Sequence, residues 1–545
     1  MSLEEKVGQL VMVRTDSTFL PTDSDEFDRL RRLVVERHVG GVIIFGGTEP
    51  VPSVLLNAGY GSTILGDPLD AASLLNRLQG AAKQPLLVGA DFEWGVGMRI
   101  KGATTFPRAM AFGASGEPAL AERAARVTAA EMRAIGVHVN FAPVADVNNN
   151  PRNPVINTRS YGEDPARVSA MVAAAVHGLE QGGVLSVLKH YPGHGDTEVD
   201  THIGLATVPH DRARLDAVEL APFRAGIAAG ASGVMTAHLL VPAIDPAPDR
   251  PATLSAALAT GLLRDTLGFR GLAMTDSMMM QAVTKIAGAG EAAVRAFEAG
   301  NDLVLDPPEP DAALDALLEA ARAGRLPPDR IDRAVGRILA IKERLGLPVS
   351  RAVDLARVPD LVGGRASGDV ARVVAERAVT AVRSAALPLA IPRTGTVLHL
   401  SALDYPGNWR VSAPGRTFVA ELRARFPNTT AVEVSDRSSR GELDLLRATA
   451  SQYDAIVVGV YVRAASGSGR LQLAPEVAAL LNDLGKGGRP VVACLFGNPY
   501  VAADLPSVGS LLLTFDLGDN AELAAVRAIA GEIPATGTLP ITLAR

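Results

Sequence analysis

The stretch VLSVLKHYPGHGDTEVDTH, residues 184–202, opens as an apolar run and closes as a loop crowded with titratable groups. Residues 184–188 read as a short strand of a buried parallel sheet, which is apolar almost continuously rather than in alternation. The run stops at Lys189 and His190, and Pro192, Gly193 and Gly195 break the pattern after it. The stretch holds three of the chain's nine histidines, together with Asp196, Glu198 and Asp200. A buried parallel strand seldom ends in charge without reason.

Working outward, the same design recurs. Short β-branched runs alternate with longer amphipathic ones through the first two thirds of the chain, the pattern of βα units around a parallel sheet. Eight such runs are VGQLVMVR from Val7, VGGVIIFGG from Val39, PLLVGADFE from Pro85, VHVNFAPVAD from Val137, VLSVLKHYPG from Val184, ASGVMTAHL from Ala231, GLAMTDS from Gly271 and NDLVLDP from Asn301. Between the first two, Phe27, Leu30 and Val34 recur at helical spacing, with Ser24 as a cap and Gly40 beyond the end. The expectation is an α/β chain whose residues 1–347 form a (β/α)₈ barrel of the TIM type. Such a barrel gathers its chemistry at the C-terminal ends of its strands. There stand Asp91 on the third run, Asp146 on the fourth, Lys189 and His190 on the fifth, His238 on the sixth and Asp276 on the seventh. A long insertion, VPSVLLNAGYGSTILGDPLD, follows the second run.

Residues 348–366 read as a linker. Residues 367–545 read as a smaller doubly wound α/β sandwich, opened by a helix over SGDVARVVAERAVTAVRSA and built on TVLHLSA, TAVEVSD, DAIVVGVYVR, PVVACLFGN and GSLLLTFD. Its ASGSGR loop, residues 465–470, lacks the glycine spacing of a phosphate cradle.

Composition removes several classes of function. A chain of 545 residues, 48% apolar and 21% charged, exceeds one ordinary core and is not disordered. A formal net charge of −6 with no basic run excludes nucleic acid as a partner. The single cysteine, Cys494, forbids an internal disulfide and sits in the apolar run PVVACLF. No run approaches the ~20 apolar residues of a membrane span. MSLEEKVGQL is not a signal peptide, and the compartment stays open to a signal removed upstream.

Three constellations carry chemistry. Asp276 ends an apolar strand, where a carboxylate serves either as a nucleophile or as a cap for the next helix. The loop's His190, His194, Asp196, Asp200 and His202 are all metal-ligand types, but one Pro- and Gly-broken segment without HExxH spacing is a poor metal cage. The triplet Asp200-Thr201-His202 suits acid/base work, because a carboxylate beside an imidazole fixes its tautomer and favours the protonated form. In NPVINTRSYGEDP, Asp164 and Pro165 read as a helix start, while Arg159 is left over for an anionic or polyhydroxylated ligand.

LLVGADFEWGVGMR, NPVINTRSYGEDP, KHYPGHGDTEVDTH and AMTDSMMM, in this order, together resemble glycoside hydrolase family 3, and its β-N-acetylglucosaminidase branch above all. The resemblance spans nearly the whole chain and implies a barrel followed by an α/β sandwich. It also implies a retaining exo-glycosidase acting on cell-wall fragments or chitin-like oligosaccharides, with a small carbohydrate as its partner and no cofactor or metal. Asp276 matches the family's nucleophile, His202 its acid/base and Asp200 the partner that orients it; Asp91, Arg159, Lys189 and His190 match the residues that hold the sugar. His194 matches a structural residue of the loop. β-Glucosidase, β-xylosidase and N-acetylglucosaminide phosphorylase are the alternatives inside the resemblance, and a metal-dependent barrel hydrolase and a non-catalytic carbohydrate-binding protein are those outside it. Phe92 and Trp94 depart from the DQEGG that many relatives carry, which bears on substrate range.

Overall fold

The computed structural model describes residues 1–48, 63–201, 204–392, 394–403, 415–463 and 471–543. His202, the ASGSGR loop and most of the insertion after the second run lie outside them.

All eight runs contribute a strand, and all eight strands are parallel. They are β1 (Val11–Asp16), β2 (Gly41–Phe45), β3 (Leu87–Ala90), β4 (Val139–Asn140), β5 (Leu185–Tyr191), β6 (Gly233–Thr236), β7 (Leu272–Thr275) and β8 (Val304–Leu305). Each pairs with its successor, β8 pairs back onto β1, and a parallel bridge between Met274 and Leu303 closes the ring. The chain is therefore a (β/α)₈ barrel with a second α/β body behind it. β3, β5, β6 and β7 are buried along their whole length, since barrel side chains fill the interior and helices cover the outside.

Local rules explain most element boundaries. Ser24 caps the helix Asp25–Val35 by accepting from the Phe27 N–H, and Phe27, Leu30 and Val34 are its buried face. Asp164 caps Pro165–Gln181, as the NPVINTRSYGEDP reading expects. The first run is a correction. Its opening residues belong to a helix, Leu3–Gly8, because Ser2 and Glu5 form a capping box that starts a helical turn ahead of the strand.

The second body is a six-stranded sheet: β9 (Thr380–Ser384), β10 (Thr396–Leu403), β11 (Asn428–Ser435), β12 (Ala455–Val462), β13 (Val491–Gly497) and β14 (Ser510–Leu513). The spatial order is β9-β14-β13-β12-β10-β11, parallel except for the β9 edge. Apolar clusters cover both faces, as a doubly wound sandwich requires. Here too there is a correction: the opening helix ends at Ala378, and residues 380–384 form the antiparallel edge strand. The β-branched Val379, Thr380 and Val382 lower helix propensity there, and Leu511–Leu513 offer a free sheet edge. Among the described residues no helix is long and apolar enough to cross a membrane.

In the barrel body His194 is buried and His138 half-buried, and desolvation pulls each imidazole down to about 4. An unfolded histidine titrates near 6.5, so between these values the unfolded chain binds more protons and stability falls as pH falls. The contribution of His194 is complete above about pH 6.5 and lost on reaching about pH 4. Urea unfolding of the barrel should therefore lose about 2 kcal/mol per such histidine between pH 7 and pH 5. His194→Gln should flatten the dependence by one such increment; an unchanged slope would remove the histidine from the account.

Candidate active site

At the C-terminal mouth of the barrel the strand-end residues form one connected network. Lys189, on β5, is 2% exposed and places its Nζ 2.7 Å from Asp91 Oδ1 and 2.6 Å from Glu93 Oε1. Arg159 grips Glu93 with two parallel bonds of 2.9 and 2.8 Å and lies 3.3 Å from His190 Nε2. His190 Nδ1 lies 2.7 Å from Asp146 Oδ2. The carboxylate accepts from Nδ1–H, which leaves Nε2 as the acceptor for the guanidinium. β5 and the loops after β3 and β4 thus bring Asp91, Arg159, Lys189 and His190 together.

The electrostatics are those of buried charges that pair. Burial alone would raise Asp91, Glu93 and Asp146 and lower Lys189. Lys189 and Arg99 outweigh burial at Asp91, Arg159 and Lys189 hold Glu93 well below the usual carboxylate range, and bonds from His190 and the His194 N–H lower Asp146 against its burial. The lysine in turn is raised by Asp91 and Glu93 against its burial. The result is a lining of paired charges that presents both donors and acceptors to hydroxyl groups.

The network continues round the mouth. Arg99 contacts Asp91 at 3.3 Å, and Arg99 and Arg14 both approach the ring of Phe45, 5.2 and 3.9 Å from its centroid. Arg14 bonds Asp306 at 2.9 Å, and the Ser277 hydroxyl donates to Asp306 at 2.8 Å. Asp276 follows β7 directly. Its backbone N–H donates to Thr236 O and its Oδ1 accepts from the Ser277 N–H at 2.7 Å. The next helix, Gln281–Thr284, has no side-chain cap, so Asp276 is not its capping residue. His238, ending β6, bonds Thr253 and the Ser277 carbonyl and supports the same turn.

The loop after β5 is clamped over this rim. Gly195 lies so close to the barrel that a β-carbon on it would sit 1.8 Å from Val147 O. The ring nitrogens of His194 lie 2.7 Å from Thr197 Oγ1 and 3.1 Å from Thr201 Oγ1, which fits a residue that shapes the loop. Asn153 donates to the carbonyls of His194 and Gly195. Asp200 is 6% exposed. Trp94 has an Arg108 guanidinium 4.7 Å over its ring.

Among the described residues, one grouping places three potential metal ligands within 4.8 Å of each other: Asp196, His210 and Glu219. Arg214 lies 3.6 Å from Asp196 and 3.3 Å from Glu219, so a guanidinium already supplies positive charge there. Of the loop's other candidate ligands, His190 points to Asp146 and His194 to two threonines.

Glu93 is the residue sequence reasoning passed over. It falls two positions after Asp91 in DFEWG, inside a loop with no periodicity to mark it. Its one visible signal was a second carboxylate beside a strand-end aspartate.

Comparison with known proteins follows the same outline. The family model for the glycosyl hydrolase family 3 N-terminal domain matches residues 2–341. Beta-hexosaminidase A of Pseudoalteromonas piscicida is 35% identical over 61% of this chain and 60% of its own length, so the chain spans less than two thirds of that relative. A Cellulomonas fimi protein named beta-N-acetylglucosaminidase/beta-glucosidase is 30% identical over 99% of this chain and 94% of its own. The solved structure of a family 3 beta-N-acetylglucosaminidase from Paenibacillus sp. str. FPU-7 superposes with a TM-score of 0.86 at 36% identity, covering 100% of this chain and 99% of that one. With a closed parallel barrel, a site on its C-terminal rim and a family match across the whole barrel, the chain belongs to glycosyl hydrolase family 3.

Proposed function

We propose that this chain is a retaining exo-β-N-acetylglucosaminidase that removes terminal β-linked N-acetylglucosamine from cell-wall fragments or chitin-like oligosaccharides. The observation that carries the reading is the paired set Asp91, Glu93, Lys189, Arg159 and His190, with Lys189 and His190 buried, on the C-terminal rim of the barrel on which Asp276 also stands. The full-length likeness to an N-acetylglucosaminidase structure supports the sugar.

In this mechanism the Asp276 carboxylate attacks C1 and forms a covalent ester with inversion. The C1–O bond to the leaving group breaks as His202 gives its proton to the departing oxygen. Water then attacks C1, His202 takes its proton, the ester bond to Asp276 breaks, and the original configuration returns. Asp200 holds the imidazole; Asp91, Arg159, Lys189 and His190 bind the sugar hydroxyls. Glu93 keeps Lys189 and Arg159 in place. No step uses a metal. Along the chain, residues 1–347 form the catalytic barrel, 348–366 the linker and 367–545 the sandwich domain.

A panel of 4-nitrophenyl β-glycosides tests the substrate. Because the site's buried polar groups are arranged for one pattern of substituents, kcat/KM for the N-acetylglucosaminide should exceed that for the glucoside at least about tenfold. Equal or better turnover of the glucoside would move the chain to the β-glucosidase reading. Running the assay with inorganic phosphate separates hydrolysis from phosphorolysis: free sugar alone is the expected product, and a glycosyl phosphate would overturn the hydrolase reading.

A further inference from the structure

We infer that Asn498 and Tyr500 of the sandwich domain are positioning residues for the glycosidase site, acting through the loop that carries Arg159. The inference rests on the proposed role of Arg159 in holding the sugar.

Arg159 ends a 3₁₀ turn, Asn157–Arg159, in the loop that follows β4. Three bonds fix the turn. The Asn157 N–H donates to Asn148 Oδ1 at 2.9 Å, the Thr158 N–H donates to Asn157 Oδ1 at 2.9 Å, and the Arg159 N–H donates to the Ile156 carbonyl at 2.8 Å. Asn157 itself has φ of 42°, the left-handed region that asparagine tolerates better than most residues. A backbone in that conformation stays put only when its surroundings hold it.

Those surroundings come from more than 300 residues away in sequence. Asn157 Nδ2 donates to Asn498 Oδ1 at 3.0 Å, and Asn148 Nδ2 donates to the Tyr500 hydroxyl at 3.0 Å. Asn498 is itself immobilised: its Nδ2 donates to the Leu471 carbonyl at 2.6 Å, its N–H to Val462 O, and its Oδ1 also accepts from the Tyr500 N–H. Asn148, Asn157 and Asn498 are each 2% exposed or less, so each lost partner leaves a buried amide unsatisfied. Asn498 directly follows β13, at the carboxyl end of a parallel strand, the edge on which doubly wound sheets place their functional loops. The Pro540 carbonyl accepts from the Glu163 N–H at the far end of the same loop, so the sandwich domain grips it at two separated points.

The barrel thus supplies Arg159, and the second domain sets where its guanidinium points. Releasing the turn lets Arg159 drift from the geometry that bonds both Glu93 and the sugar, and small misplacements of a binding group cost large factors in rate. Asn498→Ala is expected to lower kcat/KM by roughly 10- to 30-fold, and Tyr500→Phe by a few-fold.

The deciding measurement is a double-mutant cycle on the full chain, using whichever glycoside the unaltered protein turns over fastest. In an Arg159→Lys background, Asn498→Ala should cost less than about twofold, because the lysine no longer depends on the turn. A similar loss in both backgrounds overturns the inference, since a merely structural role would act independently of Arg159. If Asn498→Ala is unfolded at the assay temperature by its melting curve, the same cycle is read with Tyr500→Phe, which removes one oxygen. Because the cycle uses the best available glycoside, a preference for glucosides would strike the proposed substrate and leave the coupling measurable.

Discussion

Asp276→Asn should lower kcat/KM by about 10⁴-fold or more while leaving the circular dichroism and melting curve of the protein nearly unchanged. The asparagine is isosteric and its carbonyl oxygen still accepts the Ser277 N–H, the bond that now orients Oδ1 at 2.7 Å. What disappears is the anion able to form an ester with C1. The loss should be indifferent to the leaving group, since no glycosyl-enzyme forms with any substrate. Treatment of the unaltered protein with a fluorinated 2-acetamido sugar inactivator should add one sugar mass to the peptide containing Asp276, and none in the variant. Label on another carboxylate, Asp306 being the nearest rival through its Ser277 bond, would displace Asp276 from the role.

The barrel was legible because its signal is redundant. Eight apolar runs each end at a Gly, Pro, His or charged residue, and losing one would not have hidden the others. Strand-end chemistry was legible for the same reason: Asp91, Lys189, His190 and Asp276 all fall where an apolar run stops, and a parallel barrel sends such residues to one rim. Glu93 was not, because its meaning comes from two cations that reach it from β5 and from a distant loop. Asn498 and Tyr500 were further out of sight. Nothing local to GNPY shows that a neutral amide will meet Asn157 across a domain boundary. The two boundary errors share a cause: over residues 7–8 a helix started by a cap, and over 380–384 a sheet edge, decided what periodicity alone left ambiguous.

Replacement of His202 should give the opposite pattern from Asp276, a loss that depends on the leaving group. The departing sugar of a natural oligosaccharide is a poor leaving group and needs a proton, so His202→Ala should cut its release about 10²- to 10⁴-fold. A nitrophenolate leaves without help, so kcat/KM for the aryl glycoside should change little. Water, however, still needs a base to reach the glycosyl-enzyme. The variant should therefore release a stoichiometric burst of nitrophenol and then stall, with kcat far below that of the unaltered protein. Azide needs no deprotonation; its addition should restore turnover and give a β-glycosyl azide of retained configuration. Asp200→Asn should show the same pattern at smaller amplitude, because the imidazole keeps its place but loses the anion that favours its protonated form. Equal losses for aryl and alkyl leaving groups, with no burst and no azide product, would take the proton-transfer role away from the loop after β5. That role would then have to be sought among the carboxylates of the second domain, of which Asp516, whose carboxyl burial pushes up and which lies against the Arg108 that covers Trp94, is the first to replace.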